Sequence, residues 1–386
     1  MKKRRYGLRV LLVLLLCLFL SAPCALAADT TSAETAQAEM EEQMSASGAD
    51  QLYDSLPQES KEIMDELGVT LPDINQLNQI SPLGVFQTLT SIISGQAENP
   101  LRGGILIIGI LLLSAAVGSL IGDDSGRQEL VSLCVSAFLI AALIPDIWDC
   151  LSAACSAIVA ACDFSLVYIP VLTALAAANG SVSAAAAYSA LTLGMTEVMS
   201  QFAKNFLMPC AGIFLGINVA GNVGKGFDFS GLIQAVKKAA TISLAFCGTV
   251  FTALITTKGV IAKGVDTLAL KGAKFVMGSF VPVIGGSMAD ALGSIMSGLS
   301  IVKNSVGIFS ILAITAILGP IVIELLLWML CLNLCAGVAD ALGEQGAGKL
   351  LKGIADGLSL IHTVLLFCML LLVVSSAVIL TIKAEF

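Results

Sequence analysis

Beyond residue 102 the chain is a succession of apolar runs, fourteen to twenty-eight residues long, separated by short polar breaks or by glycine and proline. Such runs have neither the alternation of a half-buried strand nor the polar face of a surface helix, and about twenty apolar residues cross a bilayer as a helix. Residues 103–121 make a clean first span, closed by Asp123, Asp124 and Arg127. Further spans are predicted at 130–148, bent or ended at Pro145, and at 151–178, interrupted by Asp163 and Pro170. Others follow at 184–202, 206–220 and 239–256. Near the end, 305–318 and 321–338 are parted by Gly319-Pro320, and 358–382 makes the last crossing. The expected architecture is an all-α polytopic integral membrane protein with about eight transmembrane helices and one or more broken or re-entrant elements.

One segment reads differently. Between 258 and 275, Ile261, Val265, Leu268 and Phe275 share a helical face, with Lys263, Asp266, Lys271 and Lys274 opposite, the pattern of a helix lying in the membrane interface. The segments 222–238 and 258–274 are both net basic although a span separates them, so loop charge leaves the orientation of the C-terminal half open.

Ahead of the membrane region, residues 1–27 read as a cleaved signal peptide. Lys2 to Arg5 form its positive start, residues 10–20 its apolar core, and Ala25-Leu26-Ala27 its cleavage site. Residues 28–55 are an acidic flexible segment, 56–100 a set of small extracytoplasmic amphipathic helices, and 101–386 the multi-pass membrane domain. Within 59–67, Ile63, Met64 and Leu67 share one side before Gly68, a natural stop. Ser81-Pro82 has the cap-then-proline pattern of a helix start, and Leu83, Phe86, Leu89 and Ile93 line one face as far as Gly95. Helices of this kind dock on a partner, on the membrane surface or on the membrane domain, and the pattern does not choose.

Composition agrees with the membrane reading. Hydrophobic residues make up 57% of the 386 and charged residues only 12%, about half the charge of an ordinary soluble domain. That balance excludes a water-soluble enzyme and a disordered chain. The net charge of -8 is local: residues 29–66 hold eleven acids against Lys61 alone. No basic face suggests nucleic acid. Cys17 and Cys24 fall in the signal, none of the eleven cysteines lies in 28–100, and the rest sit in or beside apolar runs as small hydrophobes.

Sequence signatures of chemistry are few. The run 343–350 nearly spells a phosphate-binding loop, but Leu350 stands where a hydroxyl should hold magnesium and no strand precedes it. His362, the single histidine, has no Cys, Glu or second His in register, so no catalytic, metal or cofactor site is expected. Ionisable groups inside apolar runs are the stronger signal, because an unpaired, dry charge there costs roughly 3 kcal/mol. Asp163, Glu197, Asp290, Lys303, Glu324 and Asp340 all lie in or beside predicted spans. Between 275 and 307, Pro282, Gly285 and Gly286 break any helix, and Ala289, Gly293 and Ser297 make a small-residue stripe for close packing. Asp290 and Ser294 form a polar edge, and Lys303-Asn304 restores polarity before Gly307. Discontinuous elements at transporter binding sites have this character, and a structural re-entrant hairpin fits as well. The candidate pore or gating residues are therefore Asp290, Ser294, Lys303, Asn304, Asp163, Glu197 and Glu324. A pairing of Lys303 with Asp290 is compatible with a short helix and turn between them.

These residues carry a resemblance. Lys274-Phe275, Phe280 through Gly286, Ala289-Asp290-Ala291 and Ile301 through Gly307 are similar to the stage III sporulation protein AE family. So are Pro170-Val171-Leu172, Asn179-Gly180 and the Lys258-Gly259, Asp266, Lys271 spacing. The similarity covers roughly residues 165–382, with Ser305 where Ala is usual and Gly319-Pro320 replacing a different proline run. It implies a mother-cell component of the complex made from the stage III A operon of endospore-forming bacteria. It also implies a place in the mother-cell-derived membrane around the forespore, with residues 28–100 extracytoplasmic. The implied partners are the other stage III A operon membrane proteins and, through them, a forespore membrane protein. A homo-oligomer is compatible with this. The family is regarded as permease-like within a channel or feeding apparatus, and no catalytic residue carries over. Two readings follow: a transport subunit in which the region of Asp290, Lys303 and Asn304 lines or gates a path, or a scaffold that assembles the complex through its ectodomain and loops.

Overall fold

The structure, a computed structural model, describes residues 42–121, 125–179, 182–202 and 285–381, with scattered positions between 205 and 249. Among the described residues every regular element is helical: a 3-10 turn at Ala49–Gln51, then α1 (Gln58–Glu66), α2 (Ile74–Asn78), α3 (Pro82–Ile121), α4 (Ser125–Ala178), α5 (Val182–Phe202), α6 (Gly285–Ala341) and α7 (Gln345–Thr381).

The ends of the short helices follow from their sequence. After α1, Gly68 turns left-handed at φ 72°, Val69 N–H donates to the Met64 carbonyl and Gly68 N–H to that of Asp65. This double reverse bond satisfies carbonyls that the helix leaves open, and glycine adopts the required φ without strain. Ser81 caps α3, its Oγ accepting from the Gly84 N–H at 2.9 Å, with Pro82 in the first turn where a missing donor costs nothing. Between α6 and α7 the same reverse bonding recurs: Gly343 takes φ 84° and Glu344 N–H donates to the Ala339 carbonyl. The glycine-rich run at 343–350 is thus a tight turn at 343–344 followed by the first turns of α7.

The long helices correct the expected breaks. Gly95 does not stop α3, which carries on to Ile121. α4 is one helix of 54 residues through Pro145 and Pro170, and α6 one of 57 through Pro320, so each joins two predicted spans. At 1.5 Å per residue they are about 80 and 85 Å long, well over a 30 Å hydrocarbon core. In apolar surroundings a break would strand several backbone groups, whereas a proline strands one, so the helix persists. Four helices are long and apolar enough to cross a membrane, within α3, α4, α6 and α7. The expected eight are not reached among the described residues. Residues 184–202 form α5, which is not among the four. The expected spans at 206–220 and 239–256 lie largely outside the described residues, as do the interfacial helix at 258–275 and Pro282.

Side-chain contacts fix how the helices run. α3 lies parallel to α6: Cys331 Sγ donates to the Pro100 carbonyl at 3.1 Å, and Ser114 Oγ to Glu344 Oε1 at 2.5 Å. α6 and α7 form an antiparallel hairpin, with Gly307 against Leu380 at one end and Lys352 Nζ 2.5 Å from Asp340 Oδ2 near the tip. α4 runs parallel to α7, since Tyr168 bonds Ser376 while Ile147 and Leu151 share a small cavity with Gly357 and Ile361. Exposure separates the two hairpins. The most apolar windows of α6 and α7 are 56% and 61% buried and those of α3 and α4 only 28%, so among the described helices α6–α7 is the inner core and α3–α4 the outer layer.

The segment before α3 docks on this bundle. Ala49, Leu52, Leu56, Met64, Val69 and Leu77 are buried in the core shared with α6, and Ser91 Oγ of α3 donates to Glu66 Oε2 at 2.9 Å. Of the docking modes left open by the pattern, the membrane domain is the one taken. The C-terminal part of the stretch expected to be a flexible tether is packed, because residues 42–47 are helical and Leu52 is fully buried. The α3 face expected at Leu83, Phe86 and Ile93 points outward, and Thr88 turns inward instead.

Candidate functional site

Inside the bundle lies a layer of hydroxyl groups. On α5, Tyr188, Thr192, Thr196 and Ser200 recur every four residues and are all buried. That spacing puts them on one face of the helix. Facing them are Ser375 and Ser376 on α7, with Tyr168 and Ser165 on α4. Ser376 Oγ gives its proton to the Leu372 carbonyl at 3.0 Å, so in the 2.8 Å contact with Tyr168 the tyrosine hydroxyl donates. Ser375 Oγ lies 3.2 Å from Thr192 Oγ1 and donates over a longer 3.5 Å to the Tyr188 hydroxyl. In a bilayer such groups must find partners within the protein, and each interhelical bond contributes about 0.6 kcal/mol.

The layer continues on α6. The register that sets Gly307 against Leu380 puts Ser310 at the level of Ser376. Ser310 and Ser305 are buried and back-bond to their own helix. Lys303 is 1% exposed, the largest charged side chain so enclosed among the described residues. It stands eight residues below the level of Ser376, about 12 Å along the axis.

A second buried polar level crosses the bundle farther along α6. Glu324 is 9% exposed, beside Cys150 of α4 and under the indole of Trp328. His362 of α7 is 4% exposed at the same height of the hairpin. The Trp328 Nε1 and His362 Nδ1 atoms are buried without a hydrogen bond of good geometry. A carboxylate, an imidazole and an indole donor at one level can hold or pass a proton, or bind a small polar group.

The residues singled out by sequence divide sharply. Lys303 and Glu324 are buried in the core, and Asn304 is half-buried. Asp163 and Glu197 are exposed on the outside of the described helices, Glu197 accepting from Gln201 Nε2 at 2.9 Å. Gly285, Gly286, Ala289, Asp290, Gly293, Ser294 and Ser297 all lie on the first turns of α6. Asp290 and Lys303 thus share one unbroken helix, about 20 Å apart at 1.5 Å per residue, so they do not pair within a chain. Sequence reasoning missed the hydroxyl layer, although the four-residue spacing from Tyr188 to Ser200 and the Ser375-Ser376 doublet inside an apolar run were visible. Among the described residues no three His, Cys, Asp or Glu side chains gather as a metal site, and seven cysteines carry no disulfide.

The family model of stage III sporulation protein AE matches residues 79–383. Stage III sporulation protein AE of Bacillus subtilis (strain 168) is 25% identical over 331 residues, covering 83% of this chain and 83% of that protein. No solved structure matches the chain.

Proposed function

This chain belongs to the stage III sporulation protein AE family, and from that premise, with a role in sporulation, we propose that it is the polytopic, permease-like subunit of a channel or feeding complex between mother cell and forespore. It sits in the mother-cell-derived membrane with residues 28–100 on the extracytoplasmic side. Its partners there are the other stage III A membrane proteins and, through them, a forespore membrane protein.

The observation that carries the transport reading is the burial of Lys303 and a hydroxyl layer inside apolar helices. A scaffold needs only an apolar core and a docking surface. Keeping a lysine within membrane helices costs free energy that function must justify. The layer is closed in this conformation, since Tyr168, Tyr188, Thr192, Ser375 and Ser376 are all buried. Passage therefore requires α5 or α7 to shift, exchanging bonds among Tyr168, Tyr188, Thr192, Ser375 and Ser376 for bonds to a polar solute. The docked segment 42–78 favours the scaffold alternative less, because its apolar face is spent on its own bundle.

The test is the water accessibility of single cysteines at Asn304, Ser310, Thr192 and Ser375 in sporulating cells. A transport path predicts reaction with a small impermeant thiol reagent that depends on the partner proteins being present. Protection at all four positions with and without partners contradicts transport and supports the scaffold.

A further inference from the structure

We propose that Glu324 is a proton-binding site, and that its proton sets how firmly the N-terminal segment is seated on the bundle. The proposal stands apart from the transport reading, because it concerns the contact between the docked segment and α6.

Glu324 stands in α6 between Ile323 and Leu325, in an otherwise apolar run. It is 9% exposed, and among the described residues no lysine, arginine or well-formed hydrogen bond meets its carboxyl. A buried carboxylate without a partner is costly, and taking up a proton removes the charge that makes it so. The neighbouring indole fits a group that changes state. Trp328, one turn along the same helix and fully buried, brings an Nε1–H that makes no good bond and lies within reach of the carboxyl. That donor suits the ionised form, which only accepts hydrogen bonds. Gly103 of α3 packs against the ring and keeps it there.

Each neighbouring element brings its own groups to this level. α1 brings Glu59, close enough for its charge to act on Glu324, and α4 brings the Cys150 thiol. α7 brings His362 at the same height. Glu98 and Arg102 of α3 and Asp146 and Asp149 of α4 are all exposed. Lys61, the one base of α1, is turned to the Tyr53 ring, 5.5 Å from its centroid. The charge that faces Glu324 is therefore of its own sign, and it comes from the docked segment.

Ser60 and Met64, four apart on α1 and both buried, form the seated face, with exposed Glu59 at its rim. With the proton on Glu324, the apolar contact of α1 is unopposed. When the proton leaves, two carboxylates face each other across the seat, and α1 lifts until water reaches both. The step is a plain acid dissociation: the O–H bond breaks, its electron pair stays on the oxygen, and the proton passes to water. Trp328 Nε1–H then donates to the carboxylate. The seated segment holds one proton more than the lifted one, so seating weakens as pH rises, by up to about tenfold per pH unit.

The experiment is hydrogen exchange of the full chain in lipid nanodiscs, read on the peptides that cover α1, each rate divided by the intrinsic chemical rate at that pH. Protection of α1 is expected to fall about tenfold or more between about pH 6 and pH 9, the range in which buried carboxyls lose their proton. In Glu324→Gln, whose amide mimics the neutral acid, it should stay level. Protection that is level in the wild type overturns the proposal. A fall that survives in Glu324→Gln overturns it too and moves the proton to another group, His362 first. A second measurement needs no variant, should Glu324→Gln not reach the membrane. Dicyclohexylcarbodiimide attacks protonated carboxyls in apolar surroundings, and it should modify Glu324 of the unaltered chain faster than the exposed Asp163 and Glu197. Equal or slower modification of Glu324 overturns the site. None of these readouts requires transport, so their failure leaves the transport reading where it stands.

Discussion

A cavity-free contact between the outer and inner hairpins makes Gly103→Ala a demanding test of the packing. A Cβ built on Gly103 falls 2.6 and 2.9 Å from two ring atoms of Trp328, which is fully buried. Carbon atoms pack at about 3.5–4.0 Å, so α3 and α6 must part by roughly 1 Å or the indole must leave its place. Separation also stretches the Cys331 bond to the Pro100 carbonyl, one turn away. Overpacking of this kind costs about 1–3 kcal/mol, and replacing glycine by alanine inside a helix returns about 1 kcal/mol. The expected net loss is roughly 0–2 kcal/mol, toward the upper end because the built Cβ is so close to the ring. Gly109 on the same helix has nothing within 4 Å of its Cβ position, so Gly109→Ala keeps only the gain. Thermal unfolding of the detergent-purified full chain should place Gly103→Ala below the wild type and Gly109→Ala at or above it. Trimming the indole in Gly103→Ala/Trp328→Phe should recover part of the loss relative to Trp328→Phe alone. Equal stability of the two alanine variants would refute the close α3–α6 contact.

Three further outcomes follow from named contacts. Tyr168→Phe and Ser376→Ala should each destabilise by about 1 kcal/mol, and the double variant by less than their sum, because each single change removes the one bond they share; additive losses would mean the two do not interact. Tyr53 donates to Asp65 at 2.5 Å, and that bond, aided by partial desolvation and the Asp65 charge, pushes its pKa up to about 12. The folded state holds the phenol proton more tightly than the unfolded state, so the contribution is intact below pH 10 and is lost as pH rises toward 12; ultraviolet titration should show the step moving down in Asp65→Asn. Gln43 reaches to 3.8 Å of a Cβ built on Gly298, so Gln43→Cys/Gly298→Cys should crosslink within one chain, whereas a loosely tethered N-terminal segment would give no such product.

Local signals were legible where the determining residues are neighbours. Gly68, Ser81-Pro82 and the turn at Gly343 act through bonds spanning five residues or fewer, and each does what its sequence implies. The burial of Met64 is legible for the same reason. Pro145, Pro170 and Pro320 were misleading because a proline's effect depends on the solvent: in water the freed carbonyls are solvated and a helix can end, whereas in an apolar bundle ending it costs more than one lost bond. The hydroxyl layer depends on axial register between helices about 200 residues apart, as between Tyr168 and Ser376 or Thr192 and Ser375. No local pattern encodes that register. Lys303 was visible as a charge in an apolar run, but its separation from Asp290 became clear only once both were seen on one helix.

The central claim is that the buried polar core serves passage rather than assembly, and one variant separates the two. In Lys303→Ala, membrane level and co-purification with the other stage III A proteins are measured beside spore yield in the same cells. The transport account predicts normal abundance and normal complex recovery with a spore yield reduced at least tenfold, and no rescue by exchanging the charges of Lys303 and Asp290. Normal sporulation, or a spore defect that appears only together with loss of the complex, would contradict it.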